Sequence, residues 1–236
     1  MEQNSYILGK SKVNLKKSIE ILTLFDRNYY SYLWSWLGMP IIQQPSEILV
    51  NQEIIFNYKP DVVIETGVAR GGSVIFYSSI LNLLKKKYKV IGVDIGLRDH
   101  NRKAIFNHKM SKNIKILNGS SVDIKIFKKI EKLCKNKKVI VILDSDHSKK
   151  HVLEELNLYS KLVKKNGYIV VADTILGFLN KKQTPKKVSK ILYRGNEPYA
   201  ALKEFLKNNK NFIIDKNLNG KLLISQNFNG YIKKTK

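Results

Sequence analysis

The chain is poor in the residues that cross-link, bind transition metals or grip phosphate. It has a single cysteine, Cys134, which cannot close an internal disulfide, so a stapled secreted scaffold is excluded. His147 and His151 stand four apart with no glutamate between them, which removes the zincin pattern. No apolar run approaches the roughly 20 residues that span a bilayer. Residues 1–10 are polar and lack the apolar core of a secretory signal, so the cytoplasm is the expected location. Peripheral membrane contact and homo-oligomerisation are left open.

Acidic residues are scarce as well. Nineteen Asp+Glu face 43 Lys+Arg, for a net charge of +24. Such a surplus suggests a nucleic-acid or anionic-membrane partner. Yet arginine, which phosphate and groove readers prefer for bidentate contacts, occurs only at positions 27, 70, 98, 102 and 194. The lysines are spread over nearly every helical stretch beside abundant Asn and Ile. They are read as a solvated surface, with a polyanion-facing patch as the alternative.

What is present is a regular alternation. The first fifty residues carry mainly helical signals and an aromatic cluster (Tyr29, Tyr30, Tyr32, Trp34, Trp36) read as packing. Pro40 and Pro45 follow, and Ser46 is a candidate N-cap for a helix to Asn57. From Pro60 onward short β-branched runs alternate with helical stretches: 61–65, 90–94, 114–117, 139–143 and 168–172, with helices at 72–87, 123–135, 148–164 and 197–209. Continuous apolar strands between helices predict a parallel sheet covered on both faces. Two last strands, 212–214 and 221–224, are expected to form a hairpin through Asn219-Gly220. The predicted fold is α/β: a doubly wound, mostly parallel, seven-stranded Rossmann-like sheet of the class I methyltransferase layout. Residues 1–58 form an N-terminal helical extension, and residues 59–236 the domain that binds S-adenosylmethionine (SAM).

Ligands of such sheets bind at the carboxyl ends of the strands. The first strand ends in Glu65-Thr66, and a loop follows with Gly67, Ala69, Arg70, Gly71, Gly72 and Ser73. Val68-Ala69 stands where a dinucleotide fingerprint would place its second glycine, so the pyrophosphate grip is missing. An acid leading into a glycine turn suits the cationic aminoacyl end of SAM. Asp94, closing the second strand, is the candidate ribose ligand, and Ser120 and Ser121 lie at the height of the adenine.

The fourth strand delivers Leu143-Asp-Ser-Asp-His147 and the fifth ends in Ala172-Asp173-Thr174. Asp144 and Asp173 leave adjacent parallel strands, so hard oxygen ligands for Mg²⁺ are expected from both. Asp144 also belongs to the expected donor site. His147 is the candidate general base, because its ordinary pKa lies near neutrality. His151 is read as structural.

The runs Pro40-Ile-Ile-Gln-Gln-Pro45, Ile64 to Ser73, Val93-Asp-Ile95, Gly119-Ser-Ser121, Leu143 to His147 and Lys221 to Ile224 occur in this order over residues 33–233. In that co-occurrence the chain resembles the cephalosporin hydroxylase/rhamnosyl O-methyltransferase family. The resemblance implies a SAM-dependent O-methyltransferase acting on a hydroxyl of a sugar, glycosylated metabolite or surface glycan. It also implies Mg²⁺ held by Asp144 and Asp173, with His147 as base. Family members commonly carry an acidic pair at the end of the fifth strand, where this chain has Ala172 before Asp173. Asp146 or Thr174 is then expected to complete the metal site, unless the site is weakened or lost. The "hydroxylase" of the family name is not carried over, since no two-His-one-carboxylate iron triad is evident.

Two rivals stand beside this reading. One is a nucleic-acid (RNA) methyltransferase, suggested by the charge but lacking the Asn/Asp-Pro-Pro-aromatic tetrapeptide of amino-group methylases. The other is a SAM-binding protein without activity, suggested by Ala172. Substrate selection is expected in the N-terminal aromatic segment and in a lid over residues 175–195.

Overall fold

A computed structural model describes residues 2–84, 87–180, 182–184 and 192–236. Helices α1 (Glu2–Lys10) and α2 (Lys12–Asp26) precede a small hairpin, β1 (Trp34–Trp36) and β2 (Met39–Ile41), and then α3 (Pro45–Tyr58). The alternating region follows as β3 (Val62–Thr66), α4 (Gly72–Leu84), β4 (Lys89–Asp94), α5 (Asp99–Asn107), β5 (Ile114–Asn118), α6 (Ile124–Cys134), β6 (Val139–Leu143), α7 (Lys149–Tyr159) and β7 (Tyr168–Val171). The chain closes with α8 (Pro198–Asn208), β8 (Phe212–Ile214), α9 (Lys216–Asn219) and β9 (Tyr231–Lys234).

The main sheet has seven strands in the order β5-β4-β3-β6-β7-β9-β8. All neighbours from β5 to β7 are parallel, and β9 runs antiparallel between β7 and β8. This is the doubly wound layout predicted from the alternation. Strand order reverses between β3 and β6, both buried at all five positions. A crevice therefore opens at their carboxyl ends.

Side chains alternate across the sheet with period two. Val63, Val90, Ile140 and Ile142 meet α3 and α4 on one face, with Ile54, Ile75 and Phe76. Ile64, Ile91, Val141 and Leu143 meet α6, α7 and α8 on the other, with Phe127, Leu156 and Leu202. Helix α6 shows how the lysines are used. Ile126, Phe127, Ile130 and Cys134 share its buried face, while Lys125, Lys128, Lys129 and Lys132 stand in solvent. Burial also pushes the Cys134 thiol up to about 12, so it behaves as a small apolar side chain. Among the described residues no helix is long and apolar enough to cross a membrane.

Four local expectations need correction. The first fifty residues are not helical throughout, because β1 and β2 pair as a hairpin. Its turn, Leu37-Gly38, has positive φ at both positions, the geometry of a two-residue connection. Helix α3 is not capped by Ser46. Gln44 is its N-cap and Pro45, whose fixed φ suits the first turn, precedes Ser46. Ser46 Oγ instead donates to the Ile224 carbonyl. The last strand is Tyr231–Lys234 and not 221–224, and Asn219-Gly220 ends a short helix. Leu222 is drawn into the α3/α4 core, whereas Tyr231 and Ile232 point to opposite core clusters, as a central strand requires. Finally, the aromatic cluster is divided. Trp36 packs on Phe76 with ring centroids 4.9 Å apart, and Tyr30 on Phe25 at 4.6 Å. Tyr29 and Tyr32 are exposed. The lid expected over residues 175–195 lies in part outside the described residues.

The strand assignment gives a direct expectation. Ile232→Ala should destabilise by about 2–5 kcal/mol as a core truncation, and the half-buried Leu223→Ala by clearly less, in urea unfolding. The reverse ranking would restore the 221–224 strand.

Candidate active site

The crevice holds a cavity of about 710 Å³. Its floor is the turn after β3. Gly67 has φ +81, and a Cβ there would overlap the Asp144 carbonyl oxygen. The close approach is tied by Asp144 N donating to Thr66 O at 3.0 Å. At Gly72 a Cβ would overlap the Pro40 carbonyl, which brings β2 against the start of α4. Gly67, Ala69, Arg70, Gly71, Gly72 and Ser73 all line the cavity, as do Asp144, His147 and Asp173. Glu65 and Thr66 lie buried beneath the loop.

Asp94 braces that loop. Its Oδ2 accepts from Val68 N at 2.9 Å and Ala69 N at 3.2 Å, and its Oδ1 from Gly96 N at 2.8 Å. Asn101 Nδ2 adds a bond to Ala69 O at 3.0 Å. Asp94, Ser120 and Ser121 lie outside the cavity lining, at the ends of β4 and β5. The Ser121 hydroxyl is occupied, with its Oγ 2.9 Å from His151 Nε2. His151 and Ser145 in turn converge on the fully buried Glu155, Ser145 Oγ donating to its Oε1 at 2.8 Å. The bond to Glu155 raises the His151 pKa despite burial. His151 therefore ties the β5 loop to the β6 loop, in line with its structural reading.

Two of the catalytic and metal candidates in this lining meet. His147 Nε2 lies 3.4 Å from Asp173 Oδ2, with both side chains partly exposed. Asp173 has left-handed backbone, φ 53, and its N–H donates to Asn227 Oδ1 at 3.0 Å. Asp144 is held well above the usual carboxylate range, first by burial and then by the charges of Asp173, Glu65, Glu47 and Glu155. Neither substitute for the missing acid at 172 faces the cavity. Asp146 is exposed and accepts from Ser148 N at 2.7 Å, at the start of α7. Thr174 is buried and donates to Phe228 O at 2.6 Å. Among the described residues no group of three or more His, Cys, Asp or Glu side chains is arranged to hold a metal.

Three further cavity residues escaped the sequence reading. Glu47 is 2% exposed and accepts from Gln44 N at 3.0 Å, Ser225 Oγ at 2.8 Å and Gln226 N at 2.7 Å. Burial pushes its carboxyl up to about 7. Its place, three residues past the N-cap, is the capping-box position and was a usable signal. Gln43 donates to Tyr77 OH at 3.3 Å while its buried Oε1 has no partner. Asp26, at the end of α2, carries no local signal at all. Burial, then the charge of Asp173, raises its pKa. Glu65 follows the same rule: burial pushes it up to about 8 against the opposing bond from Ser73 Oγ at 2.7 Å. Glu47, Asp26 and Asp144 thus line the cavity as carboxyls raised chiefly by burial, and Glu65 lies beneath it in the same condition.

Known proteins resemble this chain in sequence or in fold. Rhamnosyl O-methyltransferase of Mycobacterium leprae is 32% identical over 154 residues, covering 63% of this chain and 65% of the relative. That of Mycobacterium bovis BCG is 31% identical over 157 residues, covering 64% and 62%. The matches thus span just under two thirds of those relatives' own length. Among solved structures, CmcI in its Mg-SAM form gives a TM-score of 0.57 at 16% identity, covering 87% of this chain and 78% of that one. An O-methyltransferase of Bacillus cereus with SAH gives 0.52 at 12%, covering 86% and 82%. Both share the fold. A model of the family described as rhamnosyl O-methyltransferase/CmcI matches residues 28–235. By that match over most of its length, the chain belongs to the rhamnosyl O-methyltransferase/CmcI family.

Proposed function

We propose that this chain is a SAM-dependent O-methyltransferase acting on a hydroxyl of a sugar, within a glycosylated metabolite or surface glycan. One observation carries the reading: His147 and Asp173, 3.4 Å apart, face the same cavity as Asp144 and the glycine loop. The names of the Mycobacterium relatives support a sugar acceptor. The Mg-SAM form of CmcI supports the donor and the ion.

SAM, when bound, supplies an electrophilic methyl group on a sulfonium. The residues present fit it. The loop from Gly67 to Ser73 gives close backbone approach, and the Glu65 carboxyl beneath the loop complements a cationic aminoacyl end. Asp94 takes ribose hydroxyls on the lone pairs that its loop bonds leave free. A divalent ion, when bound, lowers the pKa of a hydroxyl that it coordinates. Asp144 and Asp173 would hold it, two carboxylates being sufficient for Mg²⁺ that keeps several waters. His147 takes the acceptor proton at Nδ1, the nitrogen turned away from Asp173. Asp173 stabilises the imidazolium that forms. Residues 1–58 act as a cap on the acceptor side, through α2 and the segment after it.

Donor binding should be visible in thermal denaturation. SAM or SAH at 100 times its Kd stabilises by about 2.7 kcal/mol, and NAD should not shift the transition. A missing shift with both would remove the cofactor assignment. His147→Ala and Asp173→Asn should each slow methyl transfer by about 10²-fold or more, with SAM affinity kept. Full transfer by both variants would remove the proposed chemistry.

The raised carboxyls add a pH signature. A cation favours the ionised forms of Glu47 (about 7) and Glu65 (about 8), so donor binding should release protons. SAM affinity should then rise between about pH 6 and 8. Calorimetry in buffers of different ionisation enthalpy measures the release. A binding enthalpy independent of buffer would contradict this electrostatic account.

A further inference from the structure

We propose that Tyr29 and Tyr32, at the mouth of the cavity, form the stacking platform for the acceptor's sugar ring. This rests on the reading of the chain as a sugar O-methyltransferase and assigns the residues that would select its substrate.

The two tyrosines differ from the aromatics around them. Tyr30 and Trp34 pack on each other at 5.4 Å, whereas Tyr29 and Tyr32 are 68% and 45% exposed and both line the cavity. Their ring centroids lie 6.0 Å apart at 85°. The pair forms a corner that offers one ring by its face and the other by its edge. Tyr29 is held at φ 54, where side chains other than glycine are uncommon, and its N–H donates to Asp26 O at 3.0 Å. Strained backbone that displays an exposed aromatic at a cavity is a mark of a binding surface.

The surroundings suit a carbohydrate. A pyranose has an apolar face of C–H bonds and a rim of hydroxyls. The tyrosine rings match the face. Asp26, on the same wall, matches the rim, and Leu176 and Leu179 give an apolar surface elsewhere in the lining. The Arg70 guanidinium lies 5.6 Å from the centre of the Tyr32 ring. It joins the platform to the glycine loop, so the acceptor's place is set relative to the donor's.

The test uses methyl α-L-rhamnopyranoside, which has no aromatic aglycone of its own, with the full chain saturated with SAH. Saturation-transfer NMR reads which sugar protons touch the protein, and titration gives Kd. We expect transfer concentrated on one face of the ring. Tyr29→Ala and Tyr32→Ala should each weaken sugar binding about three- to tenfold. Tyr32→Phe should stay within about twofold, and SAH affinity should not change. Unaltered sugar affinity in the Tyr29→Ala/Tyr32→Ala double variant overturns the platform and leaves the sugar reading standing. Loss of SAH affinity in that variant also overturns it, by placing the pair on the donor side. A wild-type protein that binds SAH but shows no transfer to the sugar overturns both the platform and the sugar acceptor. One that fails to bind SAH overturns the proposed function itself.

Discussion

The contact between Gly67 and the Asp144 carbonyl sets the rest of the site. Two strand ends, β3 and β6, come so close that no side chain fits between them. The amide of Asp144 closes on Thr66 O across the gap. Because the strand order reverses here, one contact fixes both the glycine loop after β3 and the start of the segment carrying Asp144 and His147. Asp94 reaches in from the end of β4 to hold the same loop by its amides. The Gly67–Asp144 contact itself is backbone against backbone, and the Asp144 amide finds its partner there.

A second constraint is electrostatic. The chain carries +24 overall, yet its cavity is lined by Glu47, Asp144, Asp173 and Asp26, with Glu65 buried beneath the loop. The lysines of α6 stand in solvent, where water and counter-ions screen them, so their field is weak at the cavity. The carboxyls feel burial and each other far more. A basic exterior and a carboxyl-lined interior therefore coexist, and net charge does not describe the cavity.

The order of the strands, the helices between them and the acids at the strand ends were legible in the sequence because each has a local signature. Runs such as Val139 to Leu143 are apolar without break, and glycines at 67, 71 and 72 mark a turn. What was not legible depends on tertiary competition. The stretch 221–224 has strand composition, but Leu222 found a better place in the core and left the ladder to Tyr231 and Ile232. Asp26 entered the cavity only because α2 folds back across it. Tyr29 and Tyr32 have the same composition as the packed aromatics beside them, and only their exposure sets them apart.

The position of β9 has a consequence for how the chain is made. It is inserted between β7 and β8, yet it is the last of the three to emerge during synthesis. Until it arrives, both neighbours present open edges, and an open edge recruits other chains. The segment that precedes it, residues 224–228, also supplies the partners of Glu47 and Asp173. The stretch that completes the sheet is thus continuous with the one that braces these two cavity residues. A nascent chain stalled before residue 231 would keep those strand edges open and be prone to associate with other chains.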